Sequence, residues 1–264
     1  FVDDTFKALR GRRARVLRED FCGTFNTSCE WVRRRPGNVA VGVDLDEPTL
    51  RWGREHNLGL LSRSQRARLH IHHGNVLHPV PLPRGIGKSG LEMVLAMNFS
   101  FWCFKRRATM LEYFGAVRRA LGPDGVYFLD FYGGSDAFKE LRERRKVPRA
   151  RKGEEGWFPP GPGVYHGPFT YVWEQEKYNP ITGELVCHIN FRFPDGSSMR
   201  RAFTYHWRLW TLPEIRDVLA DAGFRKTTVY WEGDDGKGGG DGNFKPTEIG
   251  DAGASHICYI AAEK

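Results

Sequence analysis

The chain has 264 residues, 40% of them apolar, with 40 Lys and Arg against 32 Asp and Glu, a formal charge of +8. That length suits one α/β domain with an insertion, or two small domains, and no run approaches the ~20 apolar residues of a membrane span. The five cysteines, Cys22, Cys29, Cys103, Cys187 and Cys258, are scattered without a CxxC pair, which argues against a zinc site and against a disulfide framework. No metal is therefore expected, and the expected setting is soluble and reducing: the cytoplasm, or an organelle had a targeting peptide been removed ahead of Phe1. No secretory signal is visible at the start. The positive charge lies in clusters, at Arg10–Arg18, Arg33–Arg35, Arg63–Arg68 and Arg142–Lys152. A basic surface of this kind serves nucleic acid, an anionic membrane or an acidic small substrate, or is simply a solvated face.

Residues 1–10 read as a short helix with Phe1, Phe6 and Leu9 on its apolar side. Ala14–Arg18 is a first strand, and it runs into two acids, Glu19 and Asp20. A tight Cys22-Gly23-Thr24 corner follows, then a helix from Asn26 to Arg35, stopped by Pro36-Gly37. Val39–Val43 is a second strand whose β-branched run fits a buried parallel position. It ends in Asp44, an acid about 20 residues past the glycine corner and so placed to accept hydrogen bonds from ribose hydroxyls. The next helix starts at Glu47-Pro48, where proline is tolerated in the first turn. Arg68–His73 is a third strand that leads into Gly74-Asn75-Val76. Pro79–Gly90 is an exposed loop rich in Pro and Gly.

Leu91–Met97 is a fourth, apolar strand, and Asn98-Phe99-Ser100-Phe101-Trp102 stands at its carboxyl end, where open α/β sheets bind ligands. Lys105–Leu121 is an amphipathic helix. A Gly122-Pro123-Asp124-Gly125 turn and a fifth strand, Val126–Phe131, follow, with Asp130 near the strand's end. A basic helix is expected over Phe138–Lys146, then a long loop rich in Pro and Gly that contains Trp157-Phe158-Pro159-Pro160. Long loops in compact domains tend to be lids or disordered. Phe169–Gln175, Leu185–Phe193 and Met199–Leu209 alternate apolar and polar residues and are broken by short turns, the mark of an antiparallel meander. Thr211 and Glu214 form a capping box that opens a helix ending at Gly223. Phe224–Trp231 and His256–Ala262 are the last two strands, joined by a glycine-rich stretch, Gly233–Gly253, expected to be mobile.

Strand, acidic end, glycine corner and helix build a nucleotide pocket at the end of a first strand, and acids there suit an amine-bearing or cationic ligand better than phosphate. Glu19-Asp20-Phe21-Cys22-Gly23-Thr24-Phe25 resembles motif I of the class I S-adenosylmethionine-dependent methyltransferases, small-molecule type, in the variant acid-x-x-Cys-Gly-Thr-Gly. Phe25 stands where the usual last glycine would be. The strand that follows Gly122-Pro123 and ends in Asp130 resembles a later motif of the same superfamily, and the closing Gly-Phe and strand pair resembles its C-terminal hairpin. The resemblance implies an α/β fold, a doubly wound, mostly parallel seven-stranded sheet, with an inserted antiparallel β-meander on the acceptor side. The expected division is a cofactor-binding core over 1–135, a lid segment and insertion over 136–210, and the rest of the core over 211–264.

From the resemblance, Glu19, Asp20, Phe21, Cys22, Gly23 and Thr24 hold the amino-acid part of S-adenosyl-L-methionine. Asp44 holds the ribose, Asn75 and Val76 the adenine edge, and Asn98 lines the way to the acceptor. Ser100, Phe101, Trp102, Trp173, Tyr205 and Trp207 are the candidate acceptor-binding residues, because aromatic walls attract a sulfonium or an amine. His188, His206 and Glu174 are candidates for a general base. The expected activity is methyl transfer to an N, O or S atom of a small-molecule acceptor. Two alternatives stand beside it, an RNA methyltransferase and a catalytically silent binding or scaffold subunit with the same fold. Oligomeric state is not legible.

Overall fold

In the first half of the chain, short apolar runs alternate with amphipathic stretches, and each takes the form its period dictates. The computed structural model describes residues 1–82, 86, 90–151, 165–236 and 239–264. The Trp157–Pro160 part of the expected lid and the middle of the Pro79–Gly90 loop lie outside the described residues. In chain order the first elements are α1 (Val2–Arg10), β1 (Val16–Asp20), α2 (Asn26–Arg34), β2 (Val39–Asp44), α3 (Glu47–His56), α4 (Arg63–Arg66), β3 (Leu69–His73), β4 (Leu91–Ala96), α5 (Arg107–Ala120) and β5 (Leu121–Gly133). An inserted segment carries β6 (Leu141–Val147), β7 (Phe169–Tyr178), β8 (Glu184–Arg192) and β9 (Ser198–Arg208). The chain closes with α6 (Leu212–Asp221), β10 (Lys226–Asp234), β11 (Gly240–Pro246) and β12 (His256–Glu263).

The chain divides into two compact units, Phe1–Gly133 with Thr211–Lys264, and Gly134–Trp210. The first holds an eight-stranded sheet in the order β11-β10-β12-β5-β4-β1-β2-β3. Its strands β3, β2, β1, β4 and β5 are mutually parallel, and β12 is antiparallel between β5 and β10. Seven of these strands match the doubly wound sheet expected from the sequence. The order reverses between β1 and β4, and that reversal opens the crevice where such sheets bind ligands. β2 and β4 are almost continuously buried, as parallel central strands require. One face packs Phe6, Leu17, Phe25, Val32, Leu50, Met93 and Phe128 into a common core. The Thr211–Glu214 box forms as expected, with Thr211 N–H donating to Glu214 Oε2 at 2.7 Å.

Two expectations are corrected. Part of the glycine-rich Gly233–Gly253 stretch is the eighth strand, β11, paired antiparallel with β10. Phe244 anchors it, with its ring 4.5 Å from that of Tyr259 and 5.8 Å from that of Phe1. The basic stretch expected as a helix over Phe138–Lys146 is mostly strand β6. Its Leu, Arg and Glu favour helix in isolation, but seven registered pairs with β7, from Leu141 against Gln175 to Val147 against Phe169, outweigh that preference. Exposed charge suits the position, because it blunts the open edge of a sheet. The second unit is thus a four-stranded antiparallel sheet, β6-β7-β8-β9, one strand larger than the expected meander. Among the described residues no helix is long and apolar enough to cross a membrane.

Candidate functional site

The carboxyl end of β1 turns through two positive-φ residues, Phe21 at 56° and Gly23 at 52°. Gly23 takes this conformation without strain, and a Cβ there would meet only Thr49 Cγ2 at 3.8 Å. The Gly23 N–H donates to Asp44 Oδ2 at 2.7 Å, so the end of β2 holds the corner that follows β1. The other Asp44 oxygen accepts from the Asp46 N–H at 2.9 Å. Each oxygen keeps a second lone pair.

Glu19 performs a task that the N-cap residue of α2 cannot. Phe25 occupies that position and has no side-chain acceptor. Glu19 Oε2 instead accepts the Ser28 N–H at 2.8 Å and the Ser28 Oγ–H at 2.5 Å, closing the amino end of the helix from outside. Desolvation dominates its ionisation: burial pushes the carboxyl up to about 7, against the opposing hydrogen bonds from Ser28 and Thr27. Phe25, the departure from the usual glycine, adopts φ 50° and is fully buried. The space for its ring comes from Gly53 on α3, where a Cβ would lie 2.6 Å from Phe25 Cε1 and 2.7 Å from the Thr24 carbonyl oxygen. The sequence carries both residues, but only their contact reveals the pairing.

The remaining cofactor candidates divide by where they point. Asp20 is corrected. Its side chain is fully buried, pairs with Arg18 at 2.8 Å and accepts the Tyr113 hydroxyl at 2.9 Å, inside the core. Alternation along β1 sends it to the face opposite Glu19. Cys22 is buried with its Sγ against the Gly42 backbone, and burial pushes its thiol far up. Thr24 lends its carbonyl to Asn57 Nδ2 at 2.8 Å. Asn75 accepts the Leu77 N–H at 3.0 Å in a local turn, and Val76 is buried beside it.

At the end of β4, two consecutive residues stand in the left-handed region, Asn98 at φ 59° and Phe99 at φ 55°. Backbone of this kind costs of order 1–3 kcal/mol per residue unless its surroundings hold it. Asp130 supplies the hold. Its Oδ2 accepts the Asn98 N–H at 2.7 Å and its Oδ1 the Phe99 N–H at 2.9 Å. Burial pushes the Asp130 carboxyl up to about 6 in spite of both bonds. Sequence reading noticed Asp130 but assigned it no role, because nothing in the sequence shows which amides it meets. Ser100 Oγ donates to the Met97 carbonyl at 2.8 Å and closes the turn. Phe101 and Trp102, named as acceptor-binding candidates, pack among core aromatics. Both are fully buried, Phe101 6.2 Å from Phe114 and Trp102 5.8 Å from Phe131 between ring centroids.

Within the second unit, Trp173, Tyr205 and Trp207 come together on one face. The Tyr205 and Trp207 rings stack at 4.3 Å, and Trp173 lies 6.2 and 6.3 Å from them. Of the base candidates, Glu174 and His188 stand opposite each other in the β7–β8 register. His188 is buried and engaged at both ring nitrogens, Nδ1 with Thr204 Oγ1 at 2.9 Å and Nε2 with Glu176 Oε2 at 2.7 Å. Sequence reading missed Glu176, which a β-bulge between Gln175 and Lys177 sets beside His188. Glu174 accepts from Asn190 Nδ2 at 3.1 Å. His206 is exposed.

The strand ends of the first unit therefore carry three carboxylates, Glu19, Asp44 and Asp130, with no Lys or Arg within 4.0 Å among the described residues. Uncompensated acid at a crevice favours a cationic ligand. No cluster of three or more His, Cys, Asp or Glu able to hold a metal occurs among the described residues.

No protein-family model matches the sequence, and no curated protein matches it. Solved structures do share the fold. An S-adenosylmethionine-dependent methyltransferase from Clostridium acetobutylicum superposes with a TM-score of 0.63 at 13% identity, over 98% of this chain and 88% of that one. CalS10, an amino pentose methyltransferase from Micromonospora echinaspora solved with S-adenosylmethionine bound, gives 0.63 at 16% identity over 100% and 89%. DesVI from Streptomyces venezuelae gives 0.62 at 15% identity over 99% and 88%. The chain has the Rossmann-like fold of class I methyltransferases.

Proposed function

We propose that this protein is an enzyme that binds S-adenosyl-L-methionine at the carboxyl ends of β1, β2 and β4 and methylates an N, O or S atom of a small-molecule acceptor. The observation that carries the reading is the Gly23 corner pinned by Asp44, beside the uncompensated carboxylate of Glu19. The donor set suits the ligand. A sulfonium and an ammonium are both cationic, and a carboxylate at the end of β2 is placed for ribose hydroxyls. When bound, the cofactor supplies a methyl group activated by positive sulfur.

The chain's own residues bind and orient. Asp44 and the Gly23–Thr24 backbone hold the ligand, and the Asp130 carboxylate keeps the Asn98–Phe99 corner in its left-handed form. Trp173, Tyr205 and Trp207 offer an aromatic wall for an amine or ring-bearing acceptor. Small-molecule transfer is further supported by the amino pentose methyltransferase among the structures that share the fold. His188 has both ring nitrogens occupied, and His188, His206 and Glu174 all lie on the face of the sheet opposite Trp173, Tyr205 and Trp207, so none of the three base candidates stands beside the aromatic wall.

The test is calorimetric titration with S-adenosylmethionine and its demethylated product, on the wild-type chain and on Asp44→Ala. Binding in the ~10 μM range is expected for the wild type, weakened at least ~10-fold in the variant, about 1.4 kcal/mol or more. No binding to the wild type would overturn the enzyme reading.

A further inference from the structure

The second unit carries a cavity of about 440 Å³ on its own sheet, lined by Arg142 of β6, Asn190, Phe191 and Arg192 of β8, Phe193 of the hairpin turn, and Ser198 and Arg200 of β9. The local sequence explains why arginines gather there. Three residues of β9, Arg200 to Ala202, stand opposite the single residue Asn190 in the β8–β9 register. Such a bulge re-aims side chains. Asn190 pins it: its Oδ1 accepts the Arg201 N–H at 2.8 Å, and Arg201 takes φ 50°. Asn190 itself is only 6% exposed.

The charge balance of this cavity is one-sided. Among the described residues three arginines line it and no acid does. Among the described residues Arg192 and Arg200 have no carboxylate within 4.0 Å, and Arg142 has only Glu174, at 3.8 Å. Glu174 is shared with Asn190 Nδ2. Like charges brought together with little counter-charge repel one another, and an oxyanion relieves that repulsion. Ser197, Ser198 and the hairpin turn complete the lining.

We propose that this cavity binds a phosphoryl group carried by a small molecule. Guanidinium forks match phosphate oxygens bidentately. A cavity of this size falls within the range of small-ligand sites, and three arginines are few for a strand of nucleic acid, which binds by many phosphate contacts along a groove. The site does not depend on the methyltransferase reading.

The test uses inorganic pyrophosphate and a single-stranded RNA 20-mer as probes, titrated by calorimetry into the wild-type chain and into Arg192→Gln/Arg200→Gln. Both residues are exposed, so the double variant is expected to keep the wild-type melting temperature. Pyrophosphate is expected to bind the wild type and to bind the variant at least ~10-fold more weakly. No wild-type binding, or equal binding by the variant, overturns the proposal; equal binding would place the anion elsewhere, as at the arginines near Arg12 and Arg35. RNA binding far tighter than pyrophosphate, lost in the variant and falling steeply with salt, overturns the small-molecule assignment in favour of nucleic acid.

Discussion

Replacing Glu19 with glutamine removes a partly buried charge and leaves the helix cap in place. Both Ser28 hydrogen bonds end on one oxygen, Oε2, and an amide oxygen can accept them there. The energetic consequence follows from the carboxyl's rise from 4.5 to about 7. Between those pH values the native state keeps a proton that the unfolded chain releases, so the group's contribution to stability falls as pH rises through the window. The full shift corresponds to at most about 3 kcal/mol at pH 8, less what solvent screens at a carboxylate that is not wholly enclosed. Urea denaturation at pH 5 and pH 8 measures it. Wild type is expected to lose more stability than Glu19→Gln across this interval, by about 1–3 kcal/mol, with the variant the more stable at pH 8. A second reading comes from the ligand. A cation beside Glu19 favours the ionised form, so S-adenosylmethionine binding at pH 6.5 is expected to release protons from the wild type and fewer from the variant. Calorimetry in buffers of different ionisation enthalpy counts them. Identical pH–stability curves for the two proteins would refute the assignment of Glu19 as a buried carboxyl that gives up its native proton across this window.

Three further perturbations test other parts of the site. Gly53→Ala drives a methyl group to 2.6 Å from the Phe25 ring and 2.7 Å from the Thr24 carbonyl; a loss of about 1–3 kcal/mol is expected, seen as a lowered melting temperature, and a change within ±0.5 kcal/mol would dissociate the two residues. Asp130→Ala leaves the amides of Asn98 and Phe99 without their acceptor. It is expected to cost about 2 kcal/mol or more and to make both amides exchange hydrogen faster, whereas unchanged protection would mean that the corner holds itself. Trp207→Ala removes a side chain that is 6% exposed and stacked on Tyr205. A loss of about 3–5 kcal/mol is expected, while Trp207→Phe should retain most of the stability; equal losses for both would point to the indole N–H rather than to packing.

How much of the fold and the site was legible in the sequence depended on how local the cause was. The strand–acid–glycine–helix run from Val16 to Arg34, the acid at Asp44 and the Thr211–Glu214 capping box rest on neighbours a few residues apart or on a fixed spacing, and each forms where expected. That the first five strands run parallel follows from the alternation of buried runs with amphipathic helices, while their doubly wound arrangement was what the family resemblance implied. What escaped was set by contacts between distant residues. Nothing near Phe25 announces that Gly53, on the next helix, gives its ring room. Asp20 and Glu19 are both acids at one strand end, and only the pleat decides that one is paired with Arg18 and Tyr113 in the core and the other caps α2. The Leu141–Val147 stretch has the composition of a helix, yet it is a strand because β7 offers it a ladder of backbone partners. Phe101 and Trp102 look like pocket aromatics in the sequence, and they are core because α5 and β5 close over them. Composition, period and short-range spacing thus determined most elements of the first unit and the acids at its strand ends. The tertiary structure alone decided which of those acids stay unpaired, which aromatics are buried and where the arginines of the insertion converge, because each depends on free energy gained only when residues far apart in the chain meet.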